Sequence, residues 1–229
     1  FSLGTIIKEF RRYPLDYCIL SFLGVGLGTT LTFIGLKRVD LGIATLIINT
    51  QPVFVPLIAW VLLRERFPLI ATPFILIGVV SLYFMSTKTP FSLGDTDTDW
   101  FGIAMLFVSM LGWATAGVIG KKLLNQGAKP YLITYFRFTL ATIMLLPFFL
   151  YREQLGLQLE LNGFTWSVII GTALLASVGG YLLFYQGLQH TKAGTAAVLE
   201  MITPLVGIGL GIAFLGETLV ATQIIAIPI

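Results

Sequence analysis

Long, mostly apolar runs alternate with short polar turns along this chain. The runs cover residues 15–37, 40–63, 68–87, 100–122, 131–150, 164–187 and 193–215, and an eighth begins near 219. At about 1.5 Å of rise per residue, some twenty residues cross the ~30 Å hydrocarbon core of a bilayer. The pattern predicts an all-α, polytopic transmembrane helix bundle. The connections carry turn chemistry, as in Lys88-Thr89-Pro90 and in the stretch from Asn125 to Pro130. The longer connection from Tyr151 to Gly163 has weak alternation and reads as a short interfacial helix.

Two of these regions are copies of each other. The segment from Gly35 to Arg66 aligns without a gap onto the segment from Gly187 to Thr218, 152 positions later. The copies share Gly35/Gly187, Leu36/Leu188, Gly42/Gly194, Ala44/Ala196, Pro52/Pro204, Leu63/Leu215 and Glu65/Glu217. A turn glycine, a proline near mid-span and a terminal glutamate recurring together mark an internal repeat rather than shared hydrophobicity. Pro52 and Pro204 withhold their N–H groups from the carbonyls of Ile48 and Glu200, so each span should be weakened there. In lipid a released carbonyl needs a protein, water or solute partner, which places broken helices beside cavities.

The repeat also sets the domain organisation. Spans 15–37, 40–63 and 68–87 correspond to 164–187, 193–215 and the segment begun at 219, whereas 100–122 and 131–150 lack earlier counterparts. The unit is therefore five helices, repeated to ten. Residues 1–87 hold the third to fifth helices of the first repeat, and residues 100–229 the sixth to tenth, the last one cut short. The first two helices are expected to lie outside this segment of a longer protein. Five is odd, so the second repeat enters the membrane inverted.

Composition supports the membrane assignment. Only 11% of residues are charged, against the ~25% usual in soluble domains. The net charge of +3 is then a topology signal, not a nucleic-acid footprint. With the N-terminal end cytoplasmic, inside segments carry Lys8, Arg11, Arg12, Arg64, Arg66, Lys121, Lys122, Lys129 and Lys192, and outside segments only Lys37, Arg38, Lys88 and Arg152. That asymmetry follows the positive-inside rule and suits a cell (inner) membrane. Phe1 to Arg12 lacks the apolar core of a signal peptide. The single cysteine, Cys18, excludes an internal disulfide and a cysteine metal cluster.

Order and spacing of these features resemble the EamA family of the drug/metabolite transporter superfamily. The likeness rests on the turns Leu41-Gly42-Ile43-Ala44 and Ala193-Gly194-Thr195-Ala196, on Pro52 and Pro204, and on the endings Leu63-Arg64-Glu65 and Leu215-Gly216-Glu217. Gly112-Trp113-Ala114 and Tyr135-Phe136-Arg137-Phe138 add to it. The resemblance implies ten helices in two inverted halves and movement of small metabolites without ATP. Many relatives place a carboxylate immediately before the second proline, where this chain has Thr203.

Glu200 is the one acidic residue deep inside an apolar span, four residues before Pro204. An intramembrane carboxylate normally faces a cavity or a partner, so Glu200 is a candidate for binding a solute or a proton. Its bland alternatives are a buried ion pair, with Arg137 at a similar depth as the partner, and a protonated acid bonded to a neighbouring carbonyl; Arg137 could instead extend to the interface. Asn49 and Gln51 flank the corresponding point in the first copy. With Glu200 and Thr203 they suggest a substrate site at the midplane between the repeats, though amides also serve as helix–helix glue. Trp113 and Tyr185 are further candidates for the lining, balanced against simple packing. Pro204, with Gly209 and Gly211 further along the same span, could loosen it for gating, as Pro52 could in the first copy. The GxxxG spacings at Gly24–Gly28 and Gly207–Gly211 suit close packing within the bundle, or contact between two copies in a homodimer.

No residue pattern calls for a cofactor or a metal. Asp95, Asp97 and Asp99 resemble half a calcium loop, but Trp100 and Leu106 occupy the glycine and glutamate positions such a loop needs. His190 has no second histidine or cysteine nearby in sequence. Nucleophile–base pairs and a phosphate-binding G-x-x-x-x-G-K-[ST] loop are absent, which argues against an enzyme and against ATP drive. The expected function is secondary-active or facilitative transport of a small molecule by alternating access, with proton coupling through Glu200 as one form of it. A non-transporting membrane receptor or scaffold is the alternative. A lone acid suits cationic or zwitterionic solutes, and a Glu200–Arg137 pair suits amino acids as well.

The charge asymmetry generates a direct test of topology. In full-length protein lacking Cys18, cysteines at Lys122 and Arg66 should react with an impermeant thiol reagent only from the cytoplasmic side. A cysteine at Asp97 should react only from outside. Labelling of the Asp97 and Lys122 positions from one side contradicts the inverted arrangement.

Overall fold

The computed structural model describes residues 3–65, 73, 76–77, 80, 99–151 and 162–215, and these are all helices, turns and short connections. In chain order they form α1 (Leu3–Arg12), α2 (Pro14–Leu36), α3 (Leu41–Ile48), α4 (Gln51–Leu63), α5 (Trp100–Asn125), α6 (Pro130–Leu150), α7 (Gly163–Leu188), α8 (Ala193–Glu200) and α9 (Ile202–Leu215). Four stretches among the described residues are long and apolar enough to cross a membrane: Pro14–Leu36, Ile43–Leu63, Trp100–Asn125 and Gly163–Leu188. The protein is an integral membrane helix bundle. The expected span 68–87, the segment from 219 and the connection 152–161 lie outside the described residues, apart from isolated helical positions at 73, 76, 77 and 80.

Helix α5 is the axis of the bundle and touches α2, α3, α4, α6, α7 and α8. Its buried face is built largely from small residues, among them Gly102, Ser109, Gly112, Ala114, Ala116 and Gly120. Between helices in lipid there is little hydrophobic drive, so close backbone approach and buried hydrogen bonds carry the association. A Cβ on Gly35 of α2 would lie 2.5 Å from Leu106, and one on Gly120 would lie 2.5 Å from the ring of Tyr185. Ser109 Oγ of α5 lies 2.7 Å from the Gly28 carbonyl of α2 and also meets the Thr32 hydroxyl. Ser21 Oγ sits 3.0 Å from the Phe136 carbonyl of α6. One apolar cluster joins Tyr17, Leu20, Ile119, Leu123, Ile133, Phe136 and Tyr185; another joins Val55, Ala59, Ala114, Val118, Ala193 and Ala197.

The ends of the helices are satisfied by polar side chains. Asp99 caps α5 by accepting from the Gly102 N–H at 2.9 Å, and its other oxygen pairs with Arg38 at 3.0 Å. The Gly102 N–H, and after it Arg38, hold the Asp99 carboxyl below the usual carboxylate range. At the opposite end, Lys122 pairs with Asp16 at 2.8 Å, and Lys121 donates to the carbonyls of Leu188 and Gln189 at 2.9 and 3.3 Å. Lys121 thus closes the C-terminal end of α7, where the carbonyls and the helix dipole favour a cation. This is why α5 runs to Asn125, past the expected end at 122: both lysines find partners without leaving the helix.

The helix breaks recur with the sequence repeat. At an offset of 152, Leu36 corresponds to Leu188, Leu41–Ile48 to Ala193–Glu200, and Leu63 to Leu215, and each pair marks the same helix boundary. Both α2 and α7 also contain a π-helical stretch, Phe22–Leu27 and Thr172–Gly179, which end at corresponding residues. The sequence expectation of a proline inside one long span needs correction in detail. The first copy breaks at Asn49–Thr50, so that Pro52 sits in the opening turn of α4, where its missing N–H costs nothing. The Thr50 hydroxyl and N–H both turn back to the Ile47 carbonyl, at 2.6 and 3.2 Å.

Gly120→Val would drive two methyl groups into Tyr185. In full-length protein we expect a loss of about 1–3 kcal/mol, read as a lower melting temperature in detergent. An unchanged melting temperature contradicts this packing.

Candidate functional site

The broken helices border a cavity of about 170 Å³. Its polar and aromatic wall is Gln51 from the first turn of α4, Trp113 from the middle of α5, Arg137 from α6, Tyr181 and Phe184 from α7 and Glu200 from the last turn of α8. Small residues of α8 and α5, namely Ala193, Ala196, Ala197 and Gly117, leave the space open. Lys121 anchors the end of α7 beside Leu188, which also lines the cavity.

Arg137 is 3% exposed, so the extension to the interface considered from sequence does not occur. Its guanidinium donates through Nη1 to the Tyr185 hydroxyl and through Nη2 to the Tyr181 hydroxyl, each at 3.0 Å, and lies 4.1 Å from the centre of the Tyr181 ring. Its Nε is buried without a hydrogen-bond partner. Among the described residues no acidic group lies within ion-pair distance of it. Space for the guanidinium comes from Gly24 in the π-helical stretch of α2, where a Cβ would stand 2.8 Å from Nη2. One turn on, a Cβ at Gly28 would stand 2.7 Å from the Trp113 indole. The Gly24–Gly28 spacing therefore serves close packing against α5 and α6, and it seats two residues of the cavity wall.

Glu200 is exposed, and its partner is Gln51, whose Nε2 donates to Oε2 at a long 3.5 Å. Glu200 and Arg137 face one cavity yet form no ion pair. The tyrosine hydroxyls hold the guanidinium instead, which is the arrangement that sequence depth alone could not choose. Of the other candidates, Tyr185 is fully buried, accepts from Arg137 and does not line the cavity. Asn49 is half-buried and outside the lining, and Thr203 is exposed on α9. Gly209 has open space around it. Pro204 and Gly211 belong to α9, but their surroundings lie outside the described residues, as do Asp95 and Asp97. Tyr181 was missed in the sequence reading. Its signal is the four-residue spacing to Tyr185, which puts both hydroxyls on one face of α7.

The EamA-like transporter family model matches residues 2–87 and 100–229. The chain belongs to that family. A protein named as an uncharacterized transporter from Archaeoglobus fulgidus is 30% identical over 193 residues, which cover 83% of this chain and 64% of that relative. The uncharacterized transporter YyaM of Bacillus subtilis is 21% identical over 206 residues, covering 90% of this chain and 67% of the relative. A WAT1-related protein of Arabidopsis thaliana is 25% identical over 120 residues, or 52% of this chain and 33% of that protein. The chain thus spans about two thirds of the length of the two microbial relatives. Family and relatives point to transport and away from enzymatic chemistry.

The geometry separates the roles of the two charged residues. Glu200→Gln removes no ion pair and should leave the folding stability of the full-length protein within about 0.5 kcal/mol. Arg137→Gln strands the buried Tyr185 hydroxyl and should cost about 1–3 kcal/mol. Thermal melting of both variants checks the order, and a reversed order contradicts the described contacts.

Proposed function

We propose that the chain forms the greater part of a secondary-active or facilitative transporter that moves a small metabolite by alternating access. The observation that carries this reading is the cavity itself, in which Gln51 beside the break of the first repeat meets Glu200 beside the break of the second. Transporters built from inverted repeats place their sites at such interfaces, formed by discontinuous helices. The five-helix unit, the charge asymmetry and the recurring helix breaks support inversion of the two repeats. They also support a cytoplasmic N-terminal side in the cell membrane.

Glu200 is the natural coupling group. It is an acid facing the cavity, held among the described residues by one long hydrogen bond, and so is able to exchange a proton or a cationic group with a solute. Arg137 supplies fixed positive charge that the tyrosines keep from neutralising it. The exposed apolar faces of α7 meet lipid or a second copy in a homodimer.

Proteoliposomes containing the full-length protein test this. Saturable uptake from a metabolite panel is expected, accelerated by a pH gradient. Glu200→Gln should abolish the gradient dependence and leave solute exchange. Gradient-driven uptake that persists in a normally expressed variant contradicts the coupling role, and no flux of any solute contradicts transport.

A further inference from the structure

Tyr181 holds the key to how the buried positive charge reaches a solute. Its hydroxyl accepts from Arg137 Nη2 at 3.0 Å, which uses an oxygen lone pair and leaves the phenolic proton to be donated. Among the described residues that proton has no acceptor. Tyr185 stands in the same relation to Nη1, but it is fully buried and does not line the cavity, whereas Tyr181 does. Arg137 also reaches the cavity wall but is 3% exposed; each of its terminal nitrogens gives one of two N–H groups to a tyrosine, and Gly24 packs against it, whereas Tyr181 is only partly buried. A hydroxyl that accepts from a cation is polarised and becomes a stronger donor.

We propose that Tyr181 is the specificity residue of this cavity, presenting its O–H to an anionic oxygen of the solute as a relay for Arg137. The inference rests on the transport-site reading above and names the chemistry of that site. The opposite pole is Glu200 with Gln51, which attracts a cationic group. The two poles share one cavity without neutralising each other, so the fitting solute is bipolar, with a carboxylate for Tyr181 and an ammonium for Glu200. The cavity of about 170 Å³ is open on one side, so the smallest solute carrying both groups is the cleanest probe of it.

Detergent-purified full-length protein tests the inference by calorimetric binding of L-alanine, L-alaninamide, which lacks the carboxylate, and propionate, which lacks the ammonium. L-Alanine is expected to bind at least about tenfold more tightly than either, since a site built for a polar group rejects the analogue lacking it. Tyr181→Phe should erase the preference for alanine over alaninamide and leave alaninamide affinity within about twofold. Glu200→Gln should erase the preference over propionate. A purely structural role for Tyr181 would lower all three affinities together and keep their ratios, which overturns the proposal. Should the phenylalanine variant fail to fold, 3-fluorotyrosine at 181 keeps the shape and strengthens the donor. Alanine affinity should then rise relative to alaninamide, and an unchanged ratio overturns the relay. Wild-type protein that binds none of the three, or all equally, also overturns it. Alanine binding without flux in proteoliposomes removes the transport reading and leaves the relay standing; flux of other solutes without alanine binding does the reverse.

Discussion

A guanidinium carried into the interior of a membrane bundle has to be solvated by the protein itself, because the surrounding lipid cannot do so. Here that task falls to the hydroxyls of Tyr181 and Tyr185, both 3.0 Å from Arg137 and both on one face of α7. The requirement propagates through the neighbouring helices. Tyr185 fits only because Gly120 of α5 has no side chain, and the guanidinium fits only because Gly24 of α2 has none. Three helices are thereby fixed around one charge, and a fourth, α8, is left to face it across open space with Glu200.

The cavity exists because helices end where lipid would otherwise forbid it. α3 gives way to α4 at Asn49–Thr50, and α8 to α9 at Met201, in corresponding positions of the two repeats. Each break releases backbone groups that need partners, and in the first the Thr50 hydroxyl bonds the Ile47 carbonyl. Small residues then keep the space from closing. Ala193, Ala196 and Ala197 line it where larger side chains would fill it. The matching π-helical stretches of α2 and α7 have the same character, since extra-wide turns are found where helices carry a functional site.

Charge at the bundle ends follows a separate logic. Asp99 and Asn162 accept from N–H groups at the starts of α5 and α7, and Lys121 donates to carbonyls at the end of α7. Lys121 and Lys122 read in sequence as a pair of topology charges. Only one of them behaves as a surface charge, because Lys121 is 7% exposed and bound to carbonyl oxygens.

The all-helical membrane class, most span positions, the repeat and the weak points before Pro52 and Pro204 were legible in the sequence, since they depend on local composition and periodicity. Hydrophobic length decides what crosses a bilayer, and a proline withholds one N–H from the helix ladder, although Pro56 and Pro147 are carried inside continuous helices. Glu200 and Gln51 could be singled out for the same reason, as polar groups in apolar runs. What sequence could not decide was who meets whom. Arg137 had two acceptable fates, an ion pair with Glu200 or an escape to the interface, and the structure shows neither. Its partners come from a helix 44 and 48 residues further along. They are met where α7 packs on α6, and Gly24 and Gly120 on other helices leave the room. Asn49 and Thr203 lie as close in sequence to the breaks as Gln51 does, yet neither lines the cavity. A helix turns by about 100° per residue, so one or two positions separate a residue facing the cavity from one facing away. That rotation is set by packing against neighbours, which only the tertiary structure supplies.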